Sequence, residues 1–347
     1  MRLSSRYGCK NKRSRPTLTG LTLVGLLAMF HPAHAISADG PKPQKLVIGY
    51  AAPVASLAMI DVMKKGGLFK KHGLDVELVF IPGSGVLTAA MVSGQVPLTF
   101  LAGAATVTSA IGGADTVLLS CAINTLFWRL FSVPEVKTVA DLKGKRIGVT
   151  RLGTLEDGIL RYVLKERGLN PEREVSFIAV GPAPQRVAAL SKGIIEAASF
   201  IPPQDIAAEK LGMNELIDMA KLGLYNPASC FASTKLFIRS NRDTVLRVMK
   251  AFVEGVKFYQ DNKDFSLKVI AEFTQNKDLE VLKPSYETVV RFQDKVPHVN
   301  MKGIDFILKV IELRDSRAKN FDATSVVDSS FMHELEKTGF VSAVWRN

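Results

Sequence analysis

Short apolar runs alternate with helix-patterned stretches in this chain, and the same order of elements occurs twice. Leu46-Val47-Ile48-Gly49-Tyr50 reads as a buried strand. Residues 56–65 carry a helical pattern that stops at Gly66-Gly67, and residues 68–72 add a turn closed by Gly73. Val76, Leu78 and Phe80 form a strand ended by Pro82-Gly83-Ser84-Gly85; a short helix runs through Met91 to Gly94, and a strand follows at 97–101. Strand, helix, strand, helix, strand implies a parallel sheet covered by helices. The order returns with a strand at 145–150, then Leu155, Ile159, Tyr162 and Val163 at helical spacing up to Gly168. A strand at 175–180, a helix from Pro184 to Lys192 closed by Gly193, and a strand at 197–201 complete it. Gly73-Leu74 and Gly168-Leu169 hold equivalent places, as do Ala89-Ala90 with Gly94 and Ala188-Ala189 with Gly193. The sequence therefore predicts two α/β lobes of similar layout.

The last third differs. Val245, Val248, Met249, Phe252, Val253 and Val256 follow a helical stripe behind Ser240, and Ile304, Ile307, Leu308 and Ile311 do the same after Gly303. These stripes are core packing of a helical C-terminal part and carry no chemistry.

A net charge of +12 raises the question of a nucleic-acid partner. Six basic residues and no acidic one fall within residues 1–35, which leaves +6 spread over the rest of the chain. No long basic block interleaved with aromatics remains, so no nucleic-acid partner is expected. Residues 1–35 have their own explanation. A basic stretch precedes the apolar run from Thr17 to Phe30, and Pro32 and Ala33-His34-Ala35 follow. That layout is a secretory signal peptide with cleavage near Ala35, and it predicts an exported, periplasmic protein. Cys9 precedes the apolar run, so it cannot be a lipid-attachment site at the cleavage point. Beyond residue 35 only Cys121 and Cys230 remain; a bridge is open to them, but two separate buried thiols are the expectation. His72, His298 and His333 show no metal spacing with either cysteine, so neither metal nor cofactor is expected.

Two such lobes leave a cleft, and ligands of open parallel sheets sit beyond the carboxyl ends of the strands. The qualifying turns are 52–56, 82–86, 102–106, 150–154 and 202–204, rich in Gly, Ala, Ser, Thr and Pro. Such turns allow close backbone approach and offer helix-start N–H groups to an anion. The candidate binding residues are Ala52, Pro53, Ser84, Gly85, Ala104, Thr106, Arg151, Gly153, Thr154, Pro203 and Gln204, with Asn226 as a further polar candidate. Arg151 is the principal one. It stands in a strand-to-helix turn with Gly153 and Thr154, where a guanidinium could grip a carboxylate or sulfonate through two parallel bonds. The competing expectation is that Arg151 covers the surface or pairs with Glu156 or Asp157.

Three stretches carry a family resemblance in the first lobe: Val47-Ile48-Gly49-Tyr50, Gly67 through Glu77 (GLFKKHGLDVE) and Val92-Ser93-Gly94-Gln95-Val96. Two more follow, Val139 through Val149 (VADLKGKRIGV) and the Arg151-Leu152-Gly153-Thr154 turn. The chain resembles the periplasmic solute-binding proteins of the nitrate/sulfonate/taurine ABC-importer group, which share a domain with thiamine-pyrimidine synthases. The resemblance implies a type II periplasmic-binding-protein fold, with lobe one at 36–132 plus 234–347 and lobe two at 133–233. It implies hinges near 127–133 and 231–238, closure of a monomer over a small solute, and delivery to an ABC permease with a cytoplasmic ATPase. The Arg151 turn adds the expectation that the solute is anionic, sulfonate-, nitrate- or taurine-like or a carboxylate. Pro97 stands where such proteins often carry Asp, and Pro202-Pro203 where one Pro commonly follows an acidic residue. Both departures adjoin the expected cleft, so no relative's ligand is carried over. Two alternatives share the fold: an enzyme of the thiamine-pyrimidine-synthase type and a solute sensor reporting to a membrane receptor. The enzyme type uses pyridoxal phosphate, a catalytic His and a cysteine-rich segment, which cysteines 109 positions apart do not supply.

Overall fold

The computed structural model describes residues 43–346. The signal-peptide reading falls outside them. Ten strands build two five-stranded sheets. The first joins β1 (Gln44–Tyr50), β2 (Leu74–Phe80), β3 (Leu98–Leu101) and β4 (Thr116–Thr125). The second holds β5 (Arg129–Ser132), β6 (Arg146–Val149), β7 (Ser176–Ala179), β8 (Ala197–Phe200) and β9 (Asn214–Asp218). The chain then returns to the first sheet as β10 (Tyr225–Thr234).

The sheet orders are β2-β1-β3-β10-β4 and β7-β6-β8-β5-β9. β1 pairs parallel with β2 and β3, and β6 pairs parallel with β7 and β8. In each sheet the fourth strand runs antiparallel to both neighbours. The repeat seen in the sequence is thus a repeat of topology. Its antiparallel halves were not visible, because β4 and β10 are buried along almost their whole length and show no alternation. The chain crosses between sheets at residues 126–128 and again at 219–224. The second hinge expected near 231–238 is corrected: Phe231–Ser233 pair with β3 and β4 inside the first sheet.

The cysteine expectation is corrected as well. Cys121 and Cys230 are directly opposed across β4 and β10 and form a disulfide. The pairing follows from the strand register, which spacing in the sequence does not reveal. His72 is not solvent-facing. Its ring, 12% exposed, meets Glu254 at 3.0 Å.

The helical stripes of the last third pack as expected. Phe252, on the helix Arg242–Asp261, meets Phe100 and Phe231 at ring distances of 5.7 and 4.9 Å in the first core. The helix Met301–Glu312 serves both lobes. Ile304, Ile307 and Leu308 join the first core, while Phe306 and Val310 join the core beneath the second sheet. Gly158 is required at this contact, since a Cβ there would lie 2.5 Å from a Val310 methyl.

Candidate functional site

The turn after β6 was expected to receive an anion, and the chain fills it with its own carboxylates. Thr154 caps the helix Leu155–Glu166, whose first turn carries Glu156 and Asp157. The Gly153 N–H donates to Asp157 Oδ2 at 2.8 Å, and the Thr150 N–H donates to Glu156 Oε2 at 2.9 Å. Negative groups at a helix start satisfy the orphan N–H groups and complement the dipole. Gly153 adopts φ +81° to let the turn close. Asp157 is fully buried and pairs with Arg161 at 2.8 Å and with Arg314. Arg151 is exposed and pairs with neither Glu156 nor Asp157; its carbonyl accepts the Thr154 hydroxyl, and its side chain has no hydrogen bond among the described residues.

A cleft of about 570 Å³ lies where strand ends of the two sheets meet, within the usual range for small-molecule sites. Ala52, Pro53, Val54 and Ser84 come from the first sheet's turns after β1 and β2. Thr150, Ile201 and Gln204 come from turns after β6 and β8, Pro182 to Pro184 from the turn after β7, and Trp128 from the crossing before β5. Glu156, Arg186, Ser199 and Phe200 form its inner part. A larger hollow, about 760 Å³, is lined by long side chains such as Arg161, Lys165, Glu172 and Lys309 and includes no strand carboxyl end. The interlobe cleft, at the strand carboxyl ends, is the candidate ligand site.

At its inner end sits a buried ion pair. Arg186 and Glu156, 5% and 7% exposed, meet at 2.8 Å. Glu156 also accepts the Thr150 hydroxyl at 2.7 Å and the Ser199 hydroxyl at 2.9 Å. Arg186 donates to Thr150 Oγ1 at 2.6 Å, to the Gly181 carbonyl at 2.9 Å and to the Ser199 carbonyl at 3.2 Å. Burial pushes its guanidinium below the ordinary arginine value, and the Glu156 charge works against that fall. Its Nε has no hydrogen-bond partner among the described residues. The cleft thus offers a largely apolar wall with a neutralised charge pair at its inner end.

Of the candidates from sequence, Ala52, Pro53, Ser84 and Gln204 line this cleft. Gly85 is exposed beside Ser84, and Pro203 precedes the helix Gln204–Lys210; neither lines the cleft. Arg151, Gly153 and Thr154 lie outside the lining, in the self-capped turn. Ala104 and Thr106 are buried in the first turn of the helix Ala104–Ile111, and Asn226 is buried in β10. Sequence reasoning missed Trp128, the Pro182–Pro184 turn, Glu156, Arg186, Ser199 and Phe200. Signals for two existed: Pro182-Ala183-Pro184 opens a helix after β7 as residues 151–154 do after β6, and Arg186 is the sole charge on that helix (APQRVAALS).

The NMT1-like family matches residues 39–273. The chain belongs to that family. A protein of Brucella abortus (strain 2308) named as a binding protein is 27% identical over 271 residues, covering 76% of this chain and 80% of its own length. Two solved structures share the fold. The alkanesulfonate-binding protein SsuA from Xanthomonas axonopodis pv. citri bound to MOPS superposes with TM-score 0.66 at 19% identity, over 84% of this chain and 100% of that one. The periplasmic nitrate-binding protein NrtA from Synechocystis PCC 6803 gives 0.68 at 15%, over 86% and 90%. The fold is that of the periplasmic binding proteins.

Proposed function

We propose that this NMT1-like chain is the extracytoplasmic solute-binding subunit of an ABC importer and that its solute is a small organic acid. The observation that carries the solute class is the cleft itself. Pro53, Val54, Trp128, Pro184, Phe200 and Ile201 supply an apolar surface that a bare inorganic anion would leave unused. Burying apolar ligand surface there contributes roughly 25 cal/mol per Å². A carboxylate or sulfonate end has Ser84 and Gln204 as polar groups in the wall and the Arg186 guanidinium, one of the lining residues, at the inner end. The anion expectation therefore moves from Arg151 to Arg186, and the apolar wall narrows it to organic anions.

The sheets serve as two lobes that close on the solute about the crossings at 126–128 and 219–224, a rigid-body motion of the hinge type. Export follows the pattern of residues 1–35, and the periplasmic protein should begin near Ile36. The permease and ATPase are the partners such a subunit requires. A receptor-coupled sensor has no observation in its favour.

The test is a thermal-shift panel of aromatic and aliphatic carboxylates, sulfonates and inorganic anions, followed by calorimetry. A true ligand at a hundred times its dissociation constant stabilises by about 2.7 kcal/mol. Organic acids should score and nitrate should not. For the ligand found, Arg151→Ala should leave affinity unchanged. A response confined to inorganic anions would overturn the proposed solute class.

A further inference from the structure

We propose a divalent-metal site on the outside of the first lobe, formed by His298, His333 and Glu336 and suited to zinc. One ligand atom from each residue lies within 4.8 Å of the other two. His298 Nε2 and Glu336 Oε1 are 3.1 Å apart, and the rings of His298 and His333 have centroids 5.5 Å apart. Zinc bonds of about 2.0–2.2 Å at tetrahedral angles set ligand atoms roughly 3.3–3.5 Å from one another. The His298–Glu336 pair is already near that spacing. His333 is exposed, so a turn of its ring can bring the third atom in.

Both backbones that present these groups are anchored. His298 lies in a segment stitched along β4: the Asp294 N–H donates to the Ala122 carbonyl at 2.8 Å and the Cys121 N–H to the Pro297 carbonyl at 2.9 Å. Asn124 Nδ2 donates to the His298 carbonyl itself at 2.8 Å. His333 and Glu336 stand three residues apart on the helix Ser330–Lys337, spacing that puts them on one helix face. That helix is held by Phe331, Met332 and Leu335, all at most 1% exposed. The His333 ring makes no hydrogen bond among the described residues, so one imidazole is idle beside a paired imidazole and carboxylate. Two imidazoles and a carboxylate suit a borderline cation such as zinc and leave one position for water. The sequence concealed this site because the two histidines are 35 positions apart and no cysteine joins them.

The experiment uses the exported, chelator-stripped protein and zinc chloride in calorimetry, with cobalt(II) as a visible-absorption probe. The expected result is one zinc per chain and tetrahedral cobalt bands. Loss of an outer-shell partner alone weakens metal sites by roughly 10–100-fold, so His298→Ala and His333→Ala should each cost at least that. Glu336→Gln should also weaken binding, His72→Ala should not, and circular dichroism should show all four variants folded. Absence of zinc binding by the wild-type protein would overturn the proposal. So would zinc binding that survives both His298→Ala and His333→Ala.

Discussion

Glu156→Gln keeps the shape of the side chain at the inner end of the cleft and removes its charge. Arg186, 5% exposed, then loses its one anionic partner among the described residues while three other acceptors, Thr150 Oγ1 and the Gly181 and Ser199 carbonyls, remain. Removing one member of a buried pair costs about 3–5 kcal/mol. The retained acceptors place this variant at the lower end, about 3 kcal/mol. Part of that arises on the other side of the pair: one amide oxygen cannot replace two carboxylate oxygens toward Thr150, Ser199 and Arg186 at once. Arg186→Met should cost a similar amount, since it leaves a buried carboxylate. Joining Glu156→Leu to Arg186→Met removes both charges, which is often close to neutral when packing is kept. The unsatisfied Thr150 N–H and Ser199 hydroxyl limit that recovery, at about 1–3 kcal/mol for a buried group left unpaired. Urea unfolding of Glu156→Leu, Arg186→Met and the double variant, followed by circular dichroism, gives the cycle, and the double variant should fall short of the summed losses of those two singles by about 2 kcal/mol or more. Additivity within about 0.5 kcal/mol would show that the two groups are not coupled and would refute the reasoning.

Other outcomes follow from the same geometry. The Cys121–Cys230 bridge spans 109 positions, so Cys121→Ser with Cys230→Ser should lower stability by about 2–4 kcal/mol while leaving the isolated ligand's affinity intact, read by urea unfolding and calorimetry. Burial tends to raise the Glu254 carboxyl, but hydrogen bonds from His72 and Lys71 outweigh it and the net shift is downward. Its contribution is therefore fully present above the unfolded glutamate value of about 4.3 and is lost as pH falls through the lower folded value. Glu254→Gln should flatten that part of the acid limb in a pH series of urea midpoints; an unchanged acid limb would contradict it.

Much of the fold was legible because each parallel βαβ unit leaves a local trace. Gly66-Gly67, Gly73, Gly168 and Gly193 punctuate its helices, and the strands between them are short apolar runs. β4, β5, β9 and β10 left no such trace, since they are placed by pairing across large sequence distances. β10 meets β3 more than a hundred residues away. The binding turns were legible as positions and not as chemistry. Residues 150–154 do sit at a strand end beside the cleft, yet the two acidic residues that follow already occupy their N–H groups. Arg186 and Glu156 are 30 residues apart and become partners only once β6, β8 and the helix Ala183–Ser191 are assembled.

The most direct test of solute capture uses the tryptophan in the cleft wall. The chain has two tryptophans, Trp128 and Trp345, and only Trp128 lines the cleft. In a Trp345→Phe variant the emission therefore reports the cleft alone. Titration with the organic acid found in the panel should give a saturable change in emission whose midpoint matches the calorimetric dissociation constant. A ligand that binds by calorimetry yet leaves Trp128 emission unchanged across saturation would place the solute elsewhere and contradict the account.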